Sequence, residues 1–252
     1  MPMSEPVVAI LVAAGLGVRY GGTTPKPALR ITRQALISMS IEAMAAGGCT
    51  DAVVVANPAT LGHFARALAG APIPIHTTNG GDTRQKSVRN GLLSVAQDER
   101  LAHTKVILVH DAVRPMVPAW VVAEVIKCVR GGASAVAPAL PVVASIRMVD
   151  PNGRPTQVVD RSLLRAIQTP QGFPFPLILN AHEAAAEQGL EFTDDLACAE
   201  AAGHRVELVE GSRLAMKITE PTDLTVAKAM WKARATIGHH SGRRLWRQRS
   251  NH

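Results

Sequence analysis

Residues Val7 to Lys26, VVAILVAAGLGVRYGGTTPK, constrain the fold of this chain more than any other stretch. The run from Val7 to Val12 holds no polar residue and is rich in β-branched side chains. It reads as a strand covered on both faces, as strands are in parallel sheets packed between helices. A turn of small residues follows, Ala13-Ala14-Gly15-Leu16-Gly17, then Arg19, Gly21-Gly22 and Pro25-Lys26. Small side chains let a ligand touch the backbone, and glycine permits the dihedrals of a tight turn. Freed N–H groups line an anion site, to which Arg19 and Lys26 add positive charge. A buried strand, a glycine turn and two cations point to a phosphate-bearing ligand.

Three loop types share this outline, and two fail on spacing. A dinucleotide fingerprint needs G-x-G-x-x-G and an acid at the end of the second strand. Here the glycines are Gly15, Gly17 and Gly21, and the second strand, Ala52 to Ala56, ends in Asn57. A phosphate loop of the G-x-x-x-x-G-K-[ST] type is missing its lysine. What remains, A-A-G-x-G-x-R followed by Pro-Lys, resembles the opening of sugar-nucleotide and related nucleotidylyltransferases. The plainer alternative is a strand–turn–helix with surface cations.

At 252 residues the chain is long enough for one large domain or two small ones. Aromatic residues are 3% of the total, so the core must be built from Val, Leu, Ile and Ala. The net charge is +7, but Arg243, Arg244, Arg247 and Arg249 carry four of those charges in a tail from His239 without an acid. The remaining body is mildly basic, which suits a pocket for small anions better than a nucleic-acid surface. Few aromatics are present to stack bases. No apolar run is long enough to span a membrane, and MPMSEP lacks the layout of a secretory signal. Cys49, Cys128 and Cys198 are far apart and odd in number, as reduced thiols of a cytoplasmic protein are.

Along the chain, helices are expected at Gln34–Ala46, Thr60–Ala69, Trp120–Arg130, Pro176–Gln188, Leu196–Ala202 and Leu224–Thr236. Strands are expected at Ala52–Ala56, Ile73–Thr77, Lys105–Val109, Ala133–Pro138 and Val206–Val209. The alternation predicts an α/β fold with a mostly parallel sheet flanked by helices. The turn Asn79-Gly80-Gly81-Asp82-Thr83 leads into a helix with a polar first turn, able to offer backbone and hydroxyl partners to a base or a phosphate, or simply an N-cap. His110-Asp111-Ala112-Val113-Arg114 puts a base, an acid and an arginine at the carboxyl end of a central strand, where open α/β sheets bind ligands; the alternative is a surface ion pair. Residues 139–165 change pattern. Val142–Val149, the turn Asp150-Pro151-Asn152-Gly153 and Pro155–Val159 read as a hairpin arm of the kind that packs on a partner subunit. Gln168–Phe173 reads as a rigid segment, and Thr193-Asp194-Asp195 as a helix cap. Residues 1–237 are expected to form one domain and 238–252 a basic tail.

Taken in order, AAGLGVR, PK, GGDTRQKSVRNGL, VHDAVRP, VDRSLL, QTPQGF, FTDD, LVEG and KITEPTDL resemble the 2-C-methyl-D-erythritol 4-phosphate cytidylyltransferases, from about Val7 to Thr236. The wording is similar to the cytidylyltransferase half of bifunctional enzymes with a fused cyclodiphosphate synthase, of which only the first activity is expected here. The resemblance implies a Rossmann-like nucleotidyltransferase sheet with a β-arm clasping a second subunit. It implies transfer of CMP from CTP to 2-C-methyl-D-erythritol 4-phosphate, with magnesium bound mainly through the CTP phosphates and no metal held by protein side chains alone. It implies CTP on Ala13, Ala14, Gly15 and Gly17, cytosine near Gly81, Asp82 and Ser87, and ribose near Asp111 and Ala112. Arg19 and Lys26 would hold the triphosphate, and Lys217 would face the reacting phosphates. The methylerythritol phosphate would meet Asp111, Arg114 and Thr169, with Ser145 and Arg161 reaching in from the neighbouring subunit of a homodimer, and Thr193 would be a further substrate contact. Ser145 stands where the family usually has threonine. The rival readings are a cytidylyltransferase for ribitol 5-phosphate or another polyol phosphate, a non-catalytic nucleotide-binding protein, and a nucleic-acid binder using the tail.

Overall fold

The computed structural model describes residues 5–15 and 24–237. Gly17, Arg19 and the basic segment 238–252 therefore lie outside the described residues. In chain order the elements are β1 (Val7–Val12), β2 (Arg30–Ile31), β3 (Gln34–Ala35), α1 (Leu36–Ala46), β4 (Asp51–Ala56), α2 (Pro58–Leu61), α3 (Ala65–Ala69), β5 (Ile75–Asn79), α4 (Arg84–Gln97), β6 (Val106–Asp111) and α5 (Ala119–Arg130). Then come β7 (Ala135–Pro141), β8 (Ile146–Val149), β9 (Pro155–Val159), β10 (Arg165–Ile167), β11 (Gln171–Pro174), α6 (Phe175–Glu187), α7 (Asp195–Ala201), β12 (Val206–Glu210) and α8 (Pro221–Ile237).

β1 lies inside an eight-stranded sheet, parallel to β4 on one side and to β6 on the other. β5 continues in parallel beyond β4. β11 runs antiparallel between β6 and β7, and β12 pairs in parallel with the far side of β7. β10 lies antiparallel along the carboxyl end of β7, on the same side as β11. Six of the eight strands (β1, β4, β5, β6, β7 and β12) thus point one way, and the loops after them share one edge.

Alternate residues of the apolar strands divide between the two faces. Val7, Ala9, Leu11, Val54 and Leu108 pack under Ile37, Ile41 and Met44 of α1 and Val122, Val125 and Val129 of α5. Val8, Ile10, Val55, Ile107, Val109 and Phe173 pack under Val88 and Leu92 of α4, Ile178 of α6 and Leu196 of α7. A sheet covered on both faces explains why β1, β4 and β6 are continuously apolar rather than alternating.

Four expectations need correction. The first helix starts at Leu36, because Gln34–Ala35 pairs with Arg30–Ile31 in a hairpin turned by Thr32, which takes φ 56. The helix expected over Thr60–Ala69 is two short helices, broken by a 3-10 turn at Gly62–Phe64. The strand expected at Ile73–Thr77 is shifted to Ile75–Asn79. The rigid segment Gln168–Phe173 contains most of β11, an interior strand that the Pro- and Gly-rich sequence conceals. The hairpin of β8 and β9 is present as expected and forms a sheet of its own.

Candidate active site

The register of the sheet builds the site. Val12 is paired with Asp111, so the turn after β1 emerges beside the last residue of β6. Ala112 N–H donates to the Val12 carbonyl at 3.3 Å, and Ala13 N–H to the Val55 carbonyl at 2.8 Å. Because β11 runs antiparallel to β6, its leading residues return to the same edge. There Asp111 N–H donates to Thr169 Oγ1 at 3.1 Å.

Three cations converge on the Asp111 carboxylate. Lys217 Nζ lies 3.0 Å from Oδ2, Arg114 Nε 3.2 Å from Oδ2, and Arg84 Nε 3.6 Å from Oδ1. They come from the segment before α8, the loop after β6 and the first turn of α4. Burial disfavours the ionised carboxyl, but Lys217, Arg84 and Arg114 outweigh it and hold Asp111 well below the usual carboxylate range. Arg84 is shared with the buried Asp195, 2.8 Å from its Nη2, so the positive charge left for a phosphate is that of Arg114 and Lys217 around the single Asp111 carboxylate. Arg114 is further fixed by donating through Nη1 to the Ala215 carbonyl at 2.8 Å. The surface ion pair considered for this segment is instead largely buried, with Asp111 only 6% exposed.

His110 is not placed as a base. It is fully buried, and burial pushes its pKa down to about 4. Its Nε2 lies 3.2 Å from the Arg114 carbonyl, which only accepts, so Nε2 carries the proton. Nδ1 then accepts from the Thr169 hydroxyl at 3.0 Å, leaving Thr169 Oγ1 free to accept from Asp111 N–H. The neutral ring orients Thr169, which in turn positions Asp111.

The turn after β5 closes the site on the side of the first turn. A Cβ at Gly80 would stand 2.3 Å from Ala14 Cβ, so the two turns touch only because Gly80 is bare. Gly81 N–H donates to Ser87 Oγ at 3.1 Å, and that hydroxyl donates to the Thr83 carbonyl at 2.9 Å. The Thr83 side chain caps α4 by accepting from Lys86 N–H at 3.2 Å. Asp82 is exposed, 3.4 Å from Lys86 Nζ. Ala13 is buried, Ala14 half-buried and Gly15 exposed at the mouth of the turn.

Lys26 begins a 3-10 turn, Lys26–Ala28, and its charge reaches Asp223 of α8. Asp223 is held below the carboxylate range first by the Thr219 hydroxyl and also by Lys26. Thr219 is two residues beyond Lys217, so both expected lysines border one segment. Thr193 is exposed on the turn before α7, where Asp194 supplies the cap by accepting from Ala197 N–H at 3.0 Å.

Ser145 and Arg161 are not brought to Asp111 within the chain. Both are exposed on the arm, where Arg161 donates to the Val143 carbonyl. Reading the sequence missed Arg84 and the groups behind it. Arg84 stood inside the quoted GGDTRQKSVRNGL motif, but nothing in the spacing brings it to Asp195, 111 residues away. Among the described residues, no group of three His, Cys, Asp or Glu side chains is placed to hold a metal ion.

Comparison with known proteins gives a consistent set. The sequence profile of the 2-C-methyl-D-erythritol 4-phosphate cytidylyltransferases matches residues 7–233. An enzyme of that name from Saccharopolyspora erythraea is 40% identical over 226 residues, 89% of this chain and 98% of its own length. A bifunctional enzyme IspD/IspF from Rhizobium leguminosarum is 39% identical over 235 residues, 90% of this chain and 57% of that protein. The crystal structure of the cytidylyltransferase from Thermus thermophilus superposes with a TM-score of 0.71 at 32% identity, covering 91% of this chain and all of that one (100%).

Proposed function

The chain belongs to the 2-C-methyl-D-erythritol 4-phosphate cytidylyltransferase family, and from that premise we propose how its residues carry the family's reaction. The chain transfers the cytidylyl group of CTP to 2-C-methyl-D-erythritol 4-phosphate, giving 4-diphosphocytidyl-2-C-methyl-D-erythritol and pyrophosphate. A phosphate oxygen of the acceptor attacks the α-phosphorus of CTP. The new P–O bond forms as the bond to the bridging oxygen breaks, and that electron pair leaves with pyrophosphate. The attacking phosphate is already an anion, so the barrier is repulsion between the reactants and the charge that builds on non-bridging oxygens. The convergence of Arg84, Arg114 and Lys217 on Asp111, beside the Ala13–Gly15 turn, carries the assignment.

In this reading the Ala13–Gly17 turn cradles the triphosphate, with Arg19 and Lys26 as its counter-charges. Gly81, Asp82 and Ser87 meet the base, and Asp111 and Ala112 the ribose. Arg114, Thr169 and Thr193 meet the acceptor, and Lys217 stabilises the charge that develops at the α-phosphorus. Magnesium, where present, would be held mainly through the CTP phosphates and would supply further neutralisation of their oxygens.

The arm supports a homodimer. Val143, Met148, Val149, Val158 and Leu163 leave large apolar surfaces in water, and Leu163 is 81% exposed. A second copy covering that face would also carry Ser145 and Arg161 to its neighbour's acceptor pocket. The thiols fit a reducing cytoplasm: burial pushes Cys49 up to about 12 and Cys198 up to about 11. No helix among the described residues is long and apolar enough to cross a membrane.

Pyrophosphate release tests the reading. It should require CTP together with methylerythritol phosphate, and ribitol 5-phosphate should not substitute. Lys217→Ala and Lys26→Ala should each lower kcat/KM about 100-fold, the effect of losing one transition-state charge contact worth about 3 kcal/mol, while the native circular dichroism spectrum is retained. Near-normal turnover in both variants would exclude this arrangement.

A further inference from the structure

The loop that carries Thr193 is exposed at its tip, yet α4 grips it from both sides. On one side Gln85 Nε2 donates to the Leu190 carbonyl at 2.9 Å, and Phe192 N–H donates to Gln85 Oε1 at 2.7 Å. On the other, Arg84 Nη2 donates to Asp195 Oδ2 at 2.8 Å. Arg84 and Gln85 are the first two residues of α4, so one helical turn holds residues 190–195 before and after Thr193.

The Arg84–Asp195 contact is built beyond the needs of a cap. Asp194 already caps α7, and its other oxygen accepts from Gln171 Nε2 at 3.0 Å. Asp195 is 1% exposed, and its Oδ1 lies 3.2 Å from Nε2 of His182, also 1% exposed. Its own N–H donates to Gln171 Oε1 at 3.1 Å. Burying a carboxylate this completely is costly unless each oxygen is satisfied. Here Arg84 of α4 meets one oxygen and His182 of α6 the other, while Gln171 of β11 holds the backbone. Arg84 in turn leans its Nε toward Asp111, linking this buried group to the centre of the site.

We propose that Arg84 and Gln85 are positioning residues that set the place of Thr193, and with it the affinity for the acceptor polyol phosphate, while the buried Asp195–His182 pair holds Arg84. The inference rests on the cytidylyl-transfer reading in assigning Thr193 to the acceptor. Arg84 and Gln85 follow directly on the Asn79–Thr83 turn, whose Gly81 and Asp82 are assigned to the base, so the nucleotide side of the site is the platform from which the acceptor side is hung.

The test uses Asp195→Asn and Gln85→Met in the full-length enzyme, both close in shape to the original side chain. Each should raise KM for methylerythritol phosphate at least 10-fold, leaving KM for CTP and kcat within threefold. A merely structural role would lower the amount of active enzyme and leave both KM values alone. Equal rises in the two KM values, or no rise for the acceptor, would overturn the proposal. His182→Gln, which retains a donor where Nε2 stood, should rescue the effect of His182→Ala; failure of that rescue would remove His182 from it. Amide hydrogen exchange separates this inference from the reaction itself. Residues 190–195 should exchange at least 10-fold faster in either variant than in the wild type, whichever acceptor the enzyme uses. If exchange is unchanged, the grip on the loop is refuted; if it accelerates while methylerythritol phosphate proves not to be the acceptor, the positioning role stands and only the substrate is wrong.

Discussion

His110 shows how a single side chain changes meaning once its surroundings are known. In the sequence it stands beside Asp111 and reads as a base next to an acid. In the fold it is a neutral strut between the Arg114 carbonyl and the Thr169 hydroxyl. This has a consequence for stability. An unfolded histidine titrates near 6.5, whereas burial pushes His110 down to about 4. Between those values the unfolded chain binds a proton that the native protein does not, so stability falls as pH is lowered through that window. The full loss is about 3 kcal/mol. Asp111 and Asp195 act elsewhere: their native values are lowered, so what they contribute is present above about pH 4 and lost only below it. The urea midpoint should therefore drop between pH 7 and 4.5, and His110→Gln, which keeps a donor for the Arg114 carbonyl, should flatten most of that dependence.

Among the elements, β11 was the least legible and is among the most consequential. Gln171-Gly172-Phe173-Pro174 has the composition of a loop, since glycine and proline weaken strands. It is a strand because β6 and β7 offer it partners on both edges. Gly172 is required there: a Cβ would stand 2.4 Å from Val125 Cγ1 and 3.1 Å from Leu108 Cδ2. Gly172→Ala should cost about 1–3 kcal/mol by overpacking, read from the urea midpoint. It should also lower activity, since β11 carries Gln171 and begins two residues after Thr169. The hairpin of β8 and β9 is the opposite case. Its turn, Asp150-Pro151-Asn152-Gly153, sits between two β-prone runs, and Gly153 takes φ 80 as such a turn requires. Local chemistry alone specifies it.

For the whole molecule, the question is what covers the arm. Val143, Met148, Val149, Val158 and Leu163 are five of the eight large apolar side chains left exposed among the described residues, the others being Trp120, Leu190 and Val226. If a second copy covers the arm, placing Leu163→Asp and Val158→Asp together in it should shift the enzyme from dimer to monomer in sedimentation analysis. If Arg161 and Ser145 act across the interface, the same variant should lose turnover while keeping its CTP affinity. A variant that stays dimeric would locate the contact elsewhere.

The buried apolar strands, the glycine turn after the first of them, the polar start of α4 and the acid at the end of β6 were all readable along the chain. Each depends on neighbours in sequence: hydrophobic period, turn chemistry and the small size of glycine. The tertiary structure alone decided which distant groups share Asp111, that His110 is a neutral strut, and that Arg84 answers to Asp195 rather than to solvent. The physical reason is that a charge takes its role from the dielectric and the partners around it. In this chain those partners are set by strand register and helix packing, across separations that no local pattern records.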